Sequence, residues 1–167
     1  MKKLDARGVK ILKIGHLVFA MMWVVGVMAM AIISLLKSQS GDELYATYHI
    51  SRIIDNSLVI PGAISTVITA IIYSIFTNWG FFKHKWIIVK WIVSITVILV
   101  GTFYFSPLLD NCLEIADTKR NLALTDPTVL HDSFITTIGA FCQACILLFL
   151  IIISVIKPWK TKKLKQK

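Results

Sequence analysis

Four long apolar stretches, each bounded by charge, constrain this chain more than any other feature. They run Ile14–Leu36, Leu58–Phe76, Trp86–Phe105 and Phe134–Ile156. Each holds about 20 residues, the length a helix needs to cross roughly 30 Å of hydrocarbon. Segments that are apolar on every side have no face to turn to water, so lipid is the solvent they imply. The fold class that follows is all-α: an integral-membrane four-helix up-down bundle, with residues 1–167 as a single domain. The loops and tails hold no segment able to bury a core of its own.

Charge gives the orientation. Lys2, Lys3, Arg7, Lys10 and Lys13 precede span one. Lys83, Lys85 and Lys90 lie between spans two and three or just inside span three. Lys157, Lys160, Lys162, Lys163, Lys165 and Lys167 follow span four. All three groups fall on one side. The other side has only Lys37, Arg52, Lys119 and Arg120, set among Asp42, Glu43, Asp55, Asp110, Glu114, Asp117, Asp126 and Asp132. The positive-inside rule then puts both termini in the cytoplasm of a cell carrying this protein in its plasma membrane. The lysine tail reads as a contact with anionic lipid and is too small a surface for nucleic acid. The first apolar run is too long for a cleaved signal, and no small-x-small site follows it.

Local signals mark the element ends. Ser40-Gly41-Asp42-Glu43 reads as a helix start with acids in its first turn, opening a helix that runs through Tyr48 and Arg52 into span two. Pro61 predicts a bend near Leu58–Pro61. Gly62, Thr66 and Ala70 form a small-residue stripe that admits another helix. The short turn Thr77–Lys85 makes spans two and three neighbours. Ser106-Pro107 predicts a short outer helix over 107–122, across the bundle mouth, with Leu109, Cys112, Leu113 and Ala116 on one face. Asp126-Pro127 reads as an N-cap and first helical residue, and Lys157-Pro158 as the stop.

With so little polarity in the spans, function rests on the few polar groups that remain. His16, His49, His84 and His131 stand one in or just before each span. The topology sorts them by depth: His16 and His84 near the cytoplasmic face, His49 and His131 near the outer face. Two depth-matched pairs are what bis-histidine ligation of haem b requires. On the outer side His49, Arg52 and Asn56 share a helix face, which offers an imidazole ligand beside a guanidinium suited to a haem propionate. Arg52 and Asp55 also have the spacing of a helical ion pair. His131 begins a stripe through Ile135, Ile138, Cys142 and Cys145. The outer pair His49 and His131 is therefore the preferred haem site, and an inner site through His16 the alternative. His16 starts a stripe through Ala20, Trp23, Val27 and Met30, where an unpaired polar group is costly. Lys90 either snorkels or neutralises an acidic ligand group near His16. His84 is flanked by Lys83 and Lys85 and reads as loop. Cys142-Gln-Ala-Cys145 reads as small helix-packing residues. No Ser–His–acid set, phosphate-binding glycine loop or intramembrane carboxylate pair points to an enzyme.

The stretch His16-Leu-Val-Phe-Ala-Met-Met-Trp23-Val-Val-Gly26, with Arg52 before Pro61-Gly62 and with Lys90-Trp91, resembles the copper-resistance D-type domain and related bacterial four-span membrane proteins. The resemblance runs over roughly the first hundred residues. It implies a compact bundle, equates His16 and Lys90 with that family's span-one histidine and span-three lysine, and links the chain to copper or haem handling. Methionine-rich outer loops, expected for copper capture, are missing, because Met21, Met22, Met28 and Met30 all lie in span one. Small haem-responsive bacterial membrane proteins are similar in size and topology. The expected function is haem b binding, for sequestration or membrane electron transfer. A copper or small-solute transporter component, or a non-catalytic membrane partner protein, is the alternative. The partners implied are the bilayer and either a second copy or a larger membrane complex.

Overall fold

The computed structural model describes residues 4–77 and 80–156. Lys2, Lys3 and the basic tail from Lys157, including the Lys157-Pro158 stop, lie outside the described residues. The elements are α1 (Ala6–Ile33), α2 (Gly41–Ile54), α3 (Ile60–Phe76), α4 (Lys85–Val100), α5 (Ser106–Lys119) and α6 (Pro127–Ile156). A π turn over Asp55–Val59 joins α2 to α3, a second over Gly101–Phe105 joins α4 to α5, and a 3-10 turn over Arg120–Thr125 follows α5. The result is four long helices, Ala6–Ile33, Gly41–Phe76, Lys85–Thr125 and Pro127–Ile156, each long and apolar enough to cross a membrane. There is no strand among the described residues. Side chains such as Ile14, Ile32, Ile64, Ile92, Phe134 and Ile152 are exposed on the outside of the bundle, as lipid-facing residues must be.

Helix continues well past the apolar stretches at one end, the loop end, which carries α2, α5 and the 3-10 turn. Both proline signals fall beside a fault in the helix there. Pro61 and Pro107 each follow a π turn by two residues. A proline in a helix lacks the N–H that the carbonyl four residues back needs, and its ring crowds that carbonyl. Those carbonyls belong to Ser57 and Phe103, and both lie inside the π turns. The wider turn gives the carbonyl room: Ile60 N–H bonds Asp55 O, and Ser106 N–H bonds Gly101 O, five residues back. Pro107 therefore does not open a separate helix across the mouth. Span three runs through it into α5.

The caps are where the sequence places them. Ser40 accepts from Glu43 N–H at 3.3 Å, and the Glu43 carboxylate reaches back to Gln39 N–H at 2.6 Å. Asp126 accepts from Thr128 N–H at 3.0 Å ahead of Pro127. Glycines set the closest helix crossing. A Cβ on Gly62 would stand 2.7 Å from the Trp23 backbone nitrogen, and one on Gly26 would stand 2.8 Å from Val59 Cγ2. Around this α1–α3 crossing Trp23, Val24, Val27 and Ala63 join Val97, Ala144, Leu147 and Leu150 in the central core. A second core at the loop end gathers Tyr48, Leu109, Cys112, Ala116, Ala123 and Val129. Spans two and three are neighbours there, through α2 and α5. Deeper in, α3 packs on α1 and α4 on α6, so α3 and α4 are not packed closely together.

The 3-10 turn is latched to the start of α2. Gly41 N–H bonds Asn121 Oδ1 at 2.7 Å, and a Cβ on Gly41 would overlap the Arg120 carbonyl carbon. Arg120 holds φ 45°, ψ −114°, a conformation that favours glycine. Its guanidinium offsets that strain by bonding Asp117 at 2.7 Å and lying 4.2 Å over the Tyr45 ring.

Candidate functional site

A helical stripe that faces lipid cannot share a ligand with one that faces the core, and this separates the histidines. His131 shares its stripe with Ile138, Cys142 and Cys145, all of them exposed. Its own side chain is 69% exposed, and Nδ1 lies 3.0 Å from Asp132 Oδ1. His49 is exposed like its neighbours Ile50 and Ile53, and its ring stacks on Tyr45 at 5.4 Å and 18°. Neither ring lines either of the two cavities between the helices. The structure does not bring the expected outer pair to one space.

Arg52 is engaged elsewhere too. Its Nη1 donates to Asp55 Oδ2 at 2.9 Å and Ser106 Oγ at 3.0 Å, and its other terminal nitrogen bonds Asp110. The guanidinium fork is shared between two carboxylates of the protein, where a propionate was expected. It ties span two to span three at the level of the two π turns. Asn111 and Asp132 make a second tie nearby, Nδ2 to Oδ2 at 2.8 Å. This buried aspartate is the orienting partner of His131.

The inner histidine behaves differently. His16 shares its stripe with Trp23 and Val27, which are 4% and 3% exposed. The stripe faces the core, so the half-buried ring meets α3. Nδ1 lies 2.9 Å from Thr69 Oγ1. The Thr69 hydroxyl has one proton, and it points to carbonyls of its own helix, Ser65 O at 2.7 Å and Thr66 O at 3.0 Å. Its oxygen therefore accepts from His16 Nδ1–H. In that tautomer Nε2 carries the lone pair, the arrangement in which a second group orients a metal-binding imidazole.

Two more polar groups complete the cluster. Thr66 Oγ1, one turn before Thr69, is buried and has no hydrogen-bond partner among the described residues. Lys90, from α4, is within electrostatic reach of His16 and donates to Ser154 Oγ on α6 at 2.6 Å. Ser154 Oγ–H donates to Leu150 O at 2.8 Å. No carboxylate pairs with Lys90 among the described residues. Each span thus contributes a polar side chain, and the set holds one imidazole lone pair, one ammonium and one orphaned hydroxyl, with no acid. The sequence reading found His16 and Lys90 but missed Thr69 and Ser154. The available signal was a hydroxyl residue inside a largely apolar run, clear at Ser154 and diluted at Thr69 by Ser65, Thr66 and Ser74.

His84 caps the start of α4 and stacks on Trp86 at 6.2 Å, as its flanking lysines suggested. Cys142 and Cys145 are both exposed and free, so they pack no helix interface. Among the described residues no three His, Cys, Asp or Glu side chains converge as a metal site. Met21 and Met28 are exposed on the bundle surface, and Met30 packs against the loop-end core. No family model, curated protein or solved structure matches this chain.

Proposed function

We propose that this protein is an up-down bundle of a bacterial cell membrane, with both termini cytoplasmic, that holds haem b through His16. The observation that carries the reading is the His16–Thr69 hydrogen bond, which orients the ring and leaves Nε2 as a ligand. Lys90 suits a propionate, because an ammonium without a carboxylate partner in an apolar span calls for an anion. Thr66 Oγ1 offers that anion a hydrogen bond. Haem bound there supplies one-electron chemistry at iron or is simply stored. The chain's own residues bind and orient it: Thr69 fixes the imidazole, Ser154 holds Lys90, and the apolar stripes exclude water. The basic residues before span one and between spans two and three support a site near the cytoplasmic face. Arg52, His49 and His131 belong to the structural layer at the other face.

The test is a haemin titration of detergent-purified protein, with spectra recorded oxidised and reduced. A saturable Soret band is expected. His16→Ala removes it and Lys90→Met weakens binding, while His49→Ala and His131→Ala leave it intact. An unchanged spectrum in His16→Ala, or no Soret band in the unmutated protein, overturns the proposal. Reporter fusions at Lys119 and Lys167 check the topology, with the first expected outside and the second in the cytoplasm.

A further inference from the structure

A cavity of about 290 Å³ lies between the spans, apart from the His16 cluster, none of whose polar residues lines it. Both π turns form its wall: Asp55 and Val59 come from the first, and Gly101, Thr102 and Phe105 from the second. Such turns recur at functional sites because they displace side chains and backbone from the regular helix. Here the two are set against one space. Its rim reaches the bundle surface at Ile60 and Ile64, both exposed. With α3 packed on α1 and α4 on α6, the rim opens between spans two and three, toward lipid.

The wall is apolar except at a few points, and two of them, the exposed Thr102 hydroxyl and the Gln143 amide, have no hydrogen-bond partner among the described residues. Gln143 is half-buried, and its amide makes no hydrogen bond among the described residues. Facing it is Gly101, where even an added Cβ would stand 3.6 Å from Nε2. The missing side chain keeps the amide open to the cavity. An amide in an apolar span is costly unless something bonds to it. Asp55, the charged residue on this wall, already pairs with Arg52, so the cavity has no spare charge for an ionic ligand. An alkyl chain would leave Gln143 unmatched. A flat ring bearing carbonyl or hydroxyl oxygen satisfies it, because an amide donates to a carbonyl and accepts from a hydroxyl. Trp23 and Phe105 line the same space with aromatic surface. The volume sits at the lower end of small-molecule cavities, near 300 Å³. It suits a ring head whose tail stays in the bilayer.

We propose that this cavity binds the ring of a lipid-soluble quinone or quinol, with a ring oxygen on the Gln143 amide. The site is independent of the haem reading, and its test uses no haem signal. The full chain carries Trp79, Trp86, Trp91 and Trp159 replaced by Phe, so that Trp23 alone reports. Detergent-purified protein is titrated with decylubiquinone, following Trp23 fluorescence. The expected result is saturable quenching. Gln143→Leu should weaken apparent affinity tenfold or more, and Ala140→Phe, which fills the cavity, should abolish the saturable phase. Gln143→Leu exchanges an amide for an apolar side chain of similar size within a span, so it carries the test even if Ala140→Phe does not fold. Quenching that rises without saturation shows partition into the micelle only and overturns the proposal. So does an unchanged affinity in Gln143→Leu, or displacement of the quinone by hexadecane as effectively as by excess quinol.

Discussion

Replacing Gly62 by alanine tests whether the α1–α3 crossing sets the stability of the bundle. The new Cβ would lie 2.7 Å from Trp23 N, 3.0 Å from Trp23 Cα and 3.1 Å from Trp23 Cβ. The first of these is about 0.7 Å short of ordinary contact at 3.4 Å. The obstacle is backbone, which has no rotamer to change, so the two helices must separate. Overpacking of this kind costs about 1–3 kcal/mol. Gly26→Ala meets Val59 Cγ2 at 2.8 Å, Leu58 Cβ at 3.0 Å and Val59 N at 3.3 Å in the π turn that leads into α3, and should cost a similar amount. Once one substitution has parted the helices, the other finds room, so the double variant should lose less than the sum. Gly15→Ala is the control: nothing lies within 4 Å of its Cβ. It should gain about 0.5–1 kcal/mol from helix propensity. The assay is unfolding from dodecylmaltoside into SDS, followed by tryptophan fluorescence. About 2 kcal/mol is a roughly 30-fold change in the folding equilibrium. Equal stability of Gly62→Ala and Gly15→Ala would refute the reasoning. Because the same helix pair carries the His16–Thr69 bond, Gly62→Ala should also loosen haem binding in the spectral titration.

Four further outcomes follow from the same packing. Arg52→Ala leaves Asp55 and Asp110 without their shared cation and should destabilise the fold by about 3 kcal/mol, with Asp55 the costlier orphan because it is the more buried; SDS unfolding reads this directly. The Lys119 ammonium bonded to Asp126 at 2.6 Å holds that carboxyl below the usual carboxylate range. A carboxyl with a depressed folded value contributes stability above its unfolded value, near 4, and loses it as pH falls through the folded value. Thermal midpoints measured from pH 7 down to 3 should therefore fall less steeply in Asp126→Asn than in the unmutated protein. Cys142→Ala and Cys145→Ala, on the lipid-facing stripe, should change stability by less than about 0.5 kcal/mol; a larger loss in the same unfolding assay would mean a packing or redox role. Lys90→Met should keep or raise stability while weakening haemin affinity, because it removes a half-buried cation and spares Ser154, whose hydroxyl still donates to Leu150 O.

The spans were legible because hydropathy is a local sum, and so were the caps at Ser40 and Asp126, where the donors lie two or three residues away. The prolines were harder. Pro61 and Pro107 each signal a helix fault, but the remedy depends on whether the preceding carbonyl can move aside. The π turns over Asp55–Val59 and Gly101–Phe105 are that movement, and nothing in the local composition announces it. The histidines were harder to sort for a different reason. In water, the apolar stripe of a helix is the buried one. In lipid both faces are apolar, so periodicity does not say which stripe meets a neighbour. The stripe from His131 and the stripe from His16 look alike in sequence, yet one is exposed and the other holds Trp23 and Val27 in the core. Small residues were the better guide. Gly26 and Gly62 mark where α1 meets α3, and His16 and Thr69 face each other along that same contact.

The two polar layers of the bundle follow opposite energetic logic. At the loop end the charges between the helices are answered: Arg52 by Asp55 and Asp110, Lys119 by Asp126, Arg120 by Asp117. Those ties connect helices and serve the fold. At the other end Lys90 has a serine where an acid would be needed, and Thr66 Oγ1 has nothing. Packing does not require either group, since Leu or Met at position 90 and Val at position 66 would fill the same space without desolvating a charge or a hydroxyl. Stability therefore does not explain why these residues are there. The haem proposed above would account for them, by bringing an anion and accepting a nitrogen donor, with the imidazole oriented by Thr69 as the third member of that set.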